Sequence, residues 1–440
     1  MSCLCNMKRI LTLFLCIGIV QFVSAQKLYF PPLNNTATWD TLSPASLGWC
    51  SKEIDALYDY LNQQDTKGFI VLKNGKIVLE KYFGTFSKDS IWYWASAGKT
   101  ITSFLVGKAQ EEKFLSMDAP TSSYLGAGWT ACTPDQENKI TIRHQLTMTT
   151  GLNDGVKDNH CTLDTCLTYL AQPGTRWAYH NAPYTLLEKV LSSATKKPIN
   201  TYTNEKLKQK TGITGAWIYN GYDNVFYSKA RGMARFGLLM QNNGVWNIDT
   251  LLRDTAYMRQ MTSTSQQHNL SYGYLWWLNG KNSYMAPTLQ TVFKGAYAPA
   301  APADMFAALG KNGQILSVSK SLGLVVVRMG NQVNSGEVPM QLCNKIWEKL
   351  QAAMCEKVEI NELNLAKDNV FGYTNTLGSE LILTLPSDED NETEIYNTAG
   401  QPLLQTNNVS AIDISKLTDG LYFLVVKQGG QVYKQKFRKF

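Results

Sequence analysis

The chain has 440 residues, with 42 Lys and Arg against 35 Asp and Glu, a formal charge of +7. A hydrophobic share of 44% and a charged share of 18% exclude a disordered or fibrous chain and suit two or three packed domains. The excess charge is dispersed and forms no basic tract of the kind nucleic acid needs, and no apolar run is long enough for a good membrane span.

At the start, Lys8 and Arg9 precede an apolar run over 10–23, and Val23-Ser24-Ala25 offers a small-residue cleavage site. This pattern predicts a secretory signal over 1–25, with Met7 an equally good start. Residues 26–46, rich in Pro and Asn, read as an extended segment. Export makes disulfides admissible for the six cysteines beyond the leader, Cys50, Cys132, Cys161, Cys166, Cys343 and Cys355. Cys161 and Cys166 flank a short polar loop and are expected to pair. Cys343 and Cys355 lie about 18 Å apart along one helical pattern and cannot pair with each other while that helix is intact. Either can reach Cys50 if the terminal helices are neighbours. The four histidines are scattered and Cys-x-x-Cys is absent, so neither a metal nor a cofactor is expected.

An amphipathic helix is predicted over 51–62. Strands over 68–72 and 76–80 flank Asn74-Gly75, the preferred two-residue hairpin turn. After the aromatic run Ile91-Trp92-Tyr93-Trp94, the stretch Ala95-Ser96-Ala97-Gly98-Lys99 opens a helical pattern over 100–113. Further helices are predicted over 142–148, 184–192 and 228–242. The β pattern returns over 305–309, 314–318 and 322–329, and a helix over 339–355 closes the domain. This order predicts an α+β domain over 47–356, an antiparallel sheet flanked by terminal helices with a helical lobe set into it. Residues 357–440 change texture. Short alternating strands over 380–385, 393–396 and 421–426, with turns at Asn397-Thr398-Ala399-Gly400 and Thr418-Asp419-Gly420, predict a linker and a small all-β sandwich.

The chemistry centres on Ser96 and Lys99. Helix positions i and i+3 share a face, so an amine at Lys99 can reach the Ser96 hydroxyl and take its proton. The sequence holds four Ser-x-x-Lys pairs: Ser24/Lys27, Ser96/Lys99, Ser193/Lys196 and Ser317/Lys320. Of these, Ser96 alone opens a helix. Downstream, Tyr179-His180-Asn181 follows Pro173-Gly174. Tyr179 is placed to relay a proton between Ser96 and a leaving group, and Asn181 to hold Lys99 and a substrate amide. A third element, Lys311-Asn312-Gly313, enters a strand. There Gly313 permits close approach to a ligand, the Gln314 N–H can join the Ser96 N–H as an oxyanion hole, and Lys311 supplies a cation. Lys210-Thr211-Gly212 is set aside because it ends a helix. A Ser-His-Asp arrangement is disfavoured: Trp94-Ala95-Ser96-Ala97-Gly98 lacks the first glycine of a nucleophile elbow, and no histidine has a convincing acidic partner.

These motifs, in this order, resemble the serine β-lactamase-like family, nearest the class C enzymes, the D-alanyl-D-alanine carboxypeptidases and related esterases. The resemblance covers about residues 47–355. It rests on Ser96-Ala97-Gly98-Lys99, on Ile140-Thr141-Ile142-Arg143-His144-Gln145-Leu146-Thr147-Met148-Thr149-Thr150-Gly151-Leu152, on the Pro173 to Asn181 stretch and on Ala234-Arg235-Phe236-Gly237-Leu238-Leu239-Met240. It implies that Ser96 is acylated, that Lys99 and Tyr179 act as base and acid, and that Lys311 fills the third motif. Asn312 and Gln314 depart from the small residues usual in that motif, which favours an ester over a β-lactam or a D-alanyl peptide. The expected activity is an exported serine hydrolase acting on a small-molecule ester, amide or peptide; a non-catalytic surface binding protein is the alternative. Ile412-Asp413-Ile414-Ser415-Lys416-Leu417-Thr418-Asp419-Gly420-Leu421-Tyr422 looks like part of a type IX secretion sorting domain. That likeness implies contact with the secretion machinery, passage through the periplasm, and a secreted or cell-surface destination.

Overall fold

The computed structural model describes residues 28–34, 37–332, 336, 338–355, 372–376, 380–385, 390–397, 401–418 and 420–439. The expected secretory signal, most of the linker and the turns at 398–400 and 419 lie outside the described residues. The chain divides into two compact units, one ending at Cys355 and one beginning at Glu356.

The first unit opens with α1 (Ser51–Gln63), followed by the hairpin β1 (Thr66–Lys73) and β2 (Lys76–Tyr82). Asn74 and Gly75 both take positive φ, 49° and 86°, as the tight turn requires. Next come β3 (Trp92–Tyr93), α2 (Lys99–Glu111) and α3 (Asn181–Thr195). A second hairpin, β4 (Ala216–Asn220) and β5 (Asp223–Ser228), leads into α4 (Ala230–Gln241). The unit closes with β6 (Trp277–Leu278), β7 (Phe306–Gly310), β8 (Gln314–Ser319), β9 (Leu324–Gly330) and α5 (Met340–Ala353).

The main sheet runs β2-β1-β9-β8-β7-β6 and is antiparallel throughout. Its central strands are buried on both faces, and neighbouring residues of β8 show what covers each. Leu316 points at α4, where a Cβ on Gly237 would fall 2.6 Å from its Cδ1, so the helix sits close only because that position is glycine. Ser317, on the opposite face, accepts a hydrogen bond from the Trp347 indole of α5 at 3.1 Å. The terminal helices α1 and α5 pack on each other, and Cys50, before α1, is bonded to Cys355, after α5, with Cα atoms 5.6 Å apart. Cys161 and Cys166 form the second disulfide. The expected α+β architecture is thus observed.

A three-stranded sheet, β3-β5-β4, was not foreseen. Trp92 and Tyr93 pair with Ser228 and Tyr227, which brings the segment before Ser96 against the second hairpin.

In the second unit, β10 (Gly372–Thr376), β11 (Glu380–Thr384), β12 (Asn391–Tyr396), β13 (Pro402–Asn407), β14 (Ala411–Asp413), β15 (Gly420–Gln428) and β16 (Gln431–Lys439) form two sheets. The orders are β10-β11-β14 and β13-β12-β15-β16. Leu381 and Ile412 of the first sheet share a core with Ile395 and Leu424 of the second.

Candidate active site

Ser96 does not lie in the first turn of an α-helix. It occupies a 3-10 turn, Ala95–Gly98, that runs directly into α2 at Lys99. Side chains at i and i+3 eclipse in that geometry, so the expected alignment of Ser96 with Lys99 is kept. Ala95 sits in the left-handed region at φ 47°, a conformation that costs energy for a residue with a Cβ and that the surroundings must impose. They do so from two sides. The buried Trp94 donates through its indole to Ser228 Oγ at 2.8 Å and packs edge-on against Phe226. From the main sheet, Gly310 at the end of β7 presses on the turn: a Cβ there would fall 2.4 Å from Trp94 O and 3.1 Å from Ser96 N.

Lys99 is 3% exposed. Its Nζ donates to Ser96 Oγ at 2.9 Å and to Asn181 Oδ1 at 2.8 Å. The amine also lies 3.9 Å from the centroid of the Tyr184 ring and 5.1 Å from that of Tyr179. Tyr179 is buried and stacks on Trp277. Burial keeps the Tyr184 phenol protonated, its pKa well above 10.0. Between Tyr179 and Asn181, His180 is buried, and desolvation pushes its pKa down to about 4, so it stays neutral near pH 7.

Ser96, Lys99, Asn181 and Tyr184 open into a cleft of about 340 Å³. The second hairpin contributes Asn220, Asp223, Asn224 and Tyr227 to its wall, and β3 contributes Tyr93. Lys311 and Asn312 also line it, and Asn312 donates to the Tyr93 hydroxyl at 2.7 Å. Gly313 and Gln314 do not line the cleft. Gln314 is fully buried, pairs with Gly310 across the hairpin, and exchanges side-chain hydrogen bonds with the backbone of Gly330. The expectation that it faces Ser96 is therefore corrected: the residue that reaches the Ser96 backbone is Gly310. Gly313 instead meets the buried Arg328, whose guanidinium donates to the carbonyls of Asn312 and Gly313, each at 2.8 Å.

A second correction concerns His160. Its Nδ1 lies 2.8 Å from Asp223 Oδ1, an acidic partner 63 residues away that the sequence did not disclose. Asp223 follows Asn220-Gly221, a hairpin signal of the same kind as Asn74-Gly75, and that signal was the available clue. Among the described residues, no group of three or more His, Cys, Asp or Glu is placed to hold a metal ion.

An antiparallel sheet with a helical lobe, and a Ser-x-x-Lys pair buried where they meet, define the serine β-lactamase and penicillin-binding class of fold. Residues 55–342 match the model of the beta-lactamase family, and the chain belongs to that family. Residues 379–439 match the secretion system C-terminal sorting domain, which indicates export to the cell surface or beyond and implies contact with the secretion machinery. The solved structures it resembles share the fold at low identity. A candidate 6-aminohexanoate-dimer hydrolase from Bacillus anthracis is 17% identical, with TM-score 0.55 over 71% of this chain and 87% of that one. A candidate β-lactamase from Bacteroides dorei is also 17% identical, with TM-score 0.56 over 70% and 99%. A family VIII carboxylesterase is 14% identical, with TM-score 0.51 over 69% and 96%. No curated protein matches the chain by sequence. No helix among the described residues is long and apolar enough to cross a membrane.

Proposed function

We propose that this chain is an exported serine hydrolase that cleaves an ester through an acyl-enzyme on Ser96. The observation that carries the reading is the buried Lys99 amine, within hydrogen-bond distance of both Ser96 Oγ and Asn181 Oδ1. Attack requires the neutral amine with its lone pair turned to the serine: Ser96 Oγ adds to the carbonyl carbon as its proton passes to Lys99 Nζ. The oxyanion is met by the Ser96 N–H and by a backbone N–H offered at the end of β7, where Gly310 stands against the Ser96 backbone. Collapse of the tetrahedral intermediate expels the alcohol, which takes a proton relayed by Lys99 and Tyr179. Water, giving a proton to the same pair, then adds to the acyl carbon; the bond from that carbon to Ser96 Oγ breaks, the proton returns to Oγ, and the acid leaves. Asn181 holds Lys99 on its line to the serine.

An ester is preferred to a β-lactam or a D-alanyl peptide because Asn312, tied to Tyr93, fills the place where the third motif usually carries a small residue beside the substrate carboxylate. The alternatives are a β-lactamase or D-alanyl-D-alanine carboxypeptidase on the same residues. A leader over 1–25, passage through the periplasm and the type IX route complete the reading.

The test is covalent labelling with a fluorophosphonate probe, followed by a panel of chromogenic esters, D-Ala-D-Ala peptides and nitrocefin. Labelling at Ser96, lost in Ser96→Ala and in Lys99→Ala with the fold retained, is the expected result. Labelling that survives Ser96→Ala would remove this site. No labelling and no turnover of any substrate would favour a binding protein.

A further inference from the structure

The wall of the cleft holds a second polar chain whose end is Lys99. The Asn181 backbone N–H donates to Asn159 Oδ1 at 2.9 Å, which makes that oxygen an acceptor. Asn181 must therefore present its own Nδ2 to Asn159, also at 2.9 Å, and turn Oδ1 towards Lys99. The same Nδ2 lies 3.2 Å from His160 Nε2. An amide nitrogen only donates, so Nε2 accepts and the imidazole proton sits on Nδ1, where it donates to Asp223 Oδ1. The order is Asp223, His160, Asn181, Lys99, Ser96, drawn from four separate segments of the chain. His160 immediately precedes Cys161, so the Cys161–Cys166 disulfide closes the loop beside it.

We propose that His160, oriented by Asp223, is a positioning residue. As the second acceptor on the Asn181 amide, it keeps Oδ1 aimed at Lys99 and the amine in register with the nucleophile. The inference rests on the acyl-enzyme reading above.

The test uses the full chain and the rate of fluorophosphonate labelling at Ser96 at pH 8, with Ser96→Ala as control and thermal unfolding as a check on folding. His160→Ala is expected to lower the maximal labelling rate about tenfold or more, the size set by leaving one buried amide donor unmet, with little change in probe affinity. His160→Gln has a carbonyl that can accept from Asn181 and should recover most of that loss. Wild-type rates in His160→Ala, a His160→Gln no faster than His160→Ala, or a loss that appears in probe affinity instead of the maximal rate would each overturn the proposal while leaving Ser96 as the nucleophile. Labelling retained in Ser96→Ala would instead overturn the acyl-enzyme reading and this inference with it.

Discussion

Beneath the cleft, Glu188 is 3% exposed and accepts from the Asn224 amide, while its Oε1 is buried with no hydrogen-bond partner. Desolvation, reinforced by Asp223 and only partly opposed by the Asn224 hydrogen bond, raises its pKa from the ordinary 4.5 to about 8. The unfolded chain releases this proton from about pH 4.5 upward, whereas the folded chain keeps it until about pH 8. Glu188 therefore costs the fold nothing below pH 4.5, a growing amount between 4.5 and 8, and a constant amount above. The gap corresponds to roughly 5 kcal/mol at most, accumulating at about 1.4 kcal/mol per pH unit. Glu188→Gln keeps a carbonyl for Asn224 and removes the titration. In urea unfolding, the stability of the variant relative to wild type should rise by about 3 kcal/mol between pH 5.5 and 8. Any constant cost of placing an amide nitrogen at the unpartnered position cancels in that difference. Stability curves that run parallel across this range would show that Glu188 ionises in the fold as freely as in the open chain.

Three further outcomes follow from the geometry. Gly310 has an ordinary φ of −134°, so Gly310→Ala meets only a steric objection, at Trp94 O and Ser96 N; Ser96 labelling should fall on the order of 100-fold, the penalty for a nucleophile displaced by about an ångström, with a much smaller change in melting temperature. Arg328 is fully buried, with Asn312 O, Gly313 O, Gln64 O and Thr66 Oγ1 as acceptors, and burial draws its pKa down to about 10. Arg328→Met leaves those acceptors dry and should destabilise by about 3 kcal/mol in urea while slowing labelling through the Lys311 loop. The Cys50–Cys355 disulfide closes a separation of 305 residues, so replacing both cysteines with serine should cost at most about 6 kcal/mol by chain entropy, measured by chemical unfolding of the oxidised protein.

The fold was legible wherever local chemistry agreed with global packing. Asn74-Gly75 gave the first hairpin because its turn needs two positive φ values, and the apolar period of 51–62 gave α1. The β4–β5 hairpin carried a comparable signal at Asn220-Gly221, with Gly221 at φ 61°, but β4 alternates weakly, with Ile218 and Tyr219 both exposed, and the buried face of β5 holds Asn224 and Ser228 beside Phe226, so neither strand shows an apolar period in sequence. The helix that presents Asn181 begins three residues before the predicted 184, because Pro183 lies in its first turn, where the missing N–H has no helical partner to lose.

The site divides along the same line. Ser96 and Lys99 are three residues apart, so their contact follows from local geometry and the sequence alone discloses it. The wall of the cleft is assembled across much longer intervals: Tyr93 meets Asn312 across 219 residues, and His160 meets Asp223 across 63. Such pairs leave no mark on spacing, since each exists only after the sheet and the second hairpin have closed. Lys311-Asn312-Gly313 shows how the two kinds of information separate. Lys311 and Asn312 line the cleft and Gly313 does not, and the backbone that meets Ser96 is that of Gly310, because the hairpin turns between Lys311 and Gly313 and carries Gln314 back into the sheet. The Ser96–Lys99 contact is therefore written in one turn of the chain, and the cleft wall in contacts that the fold alone brings together.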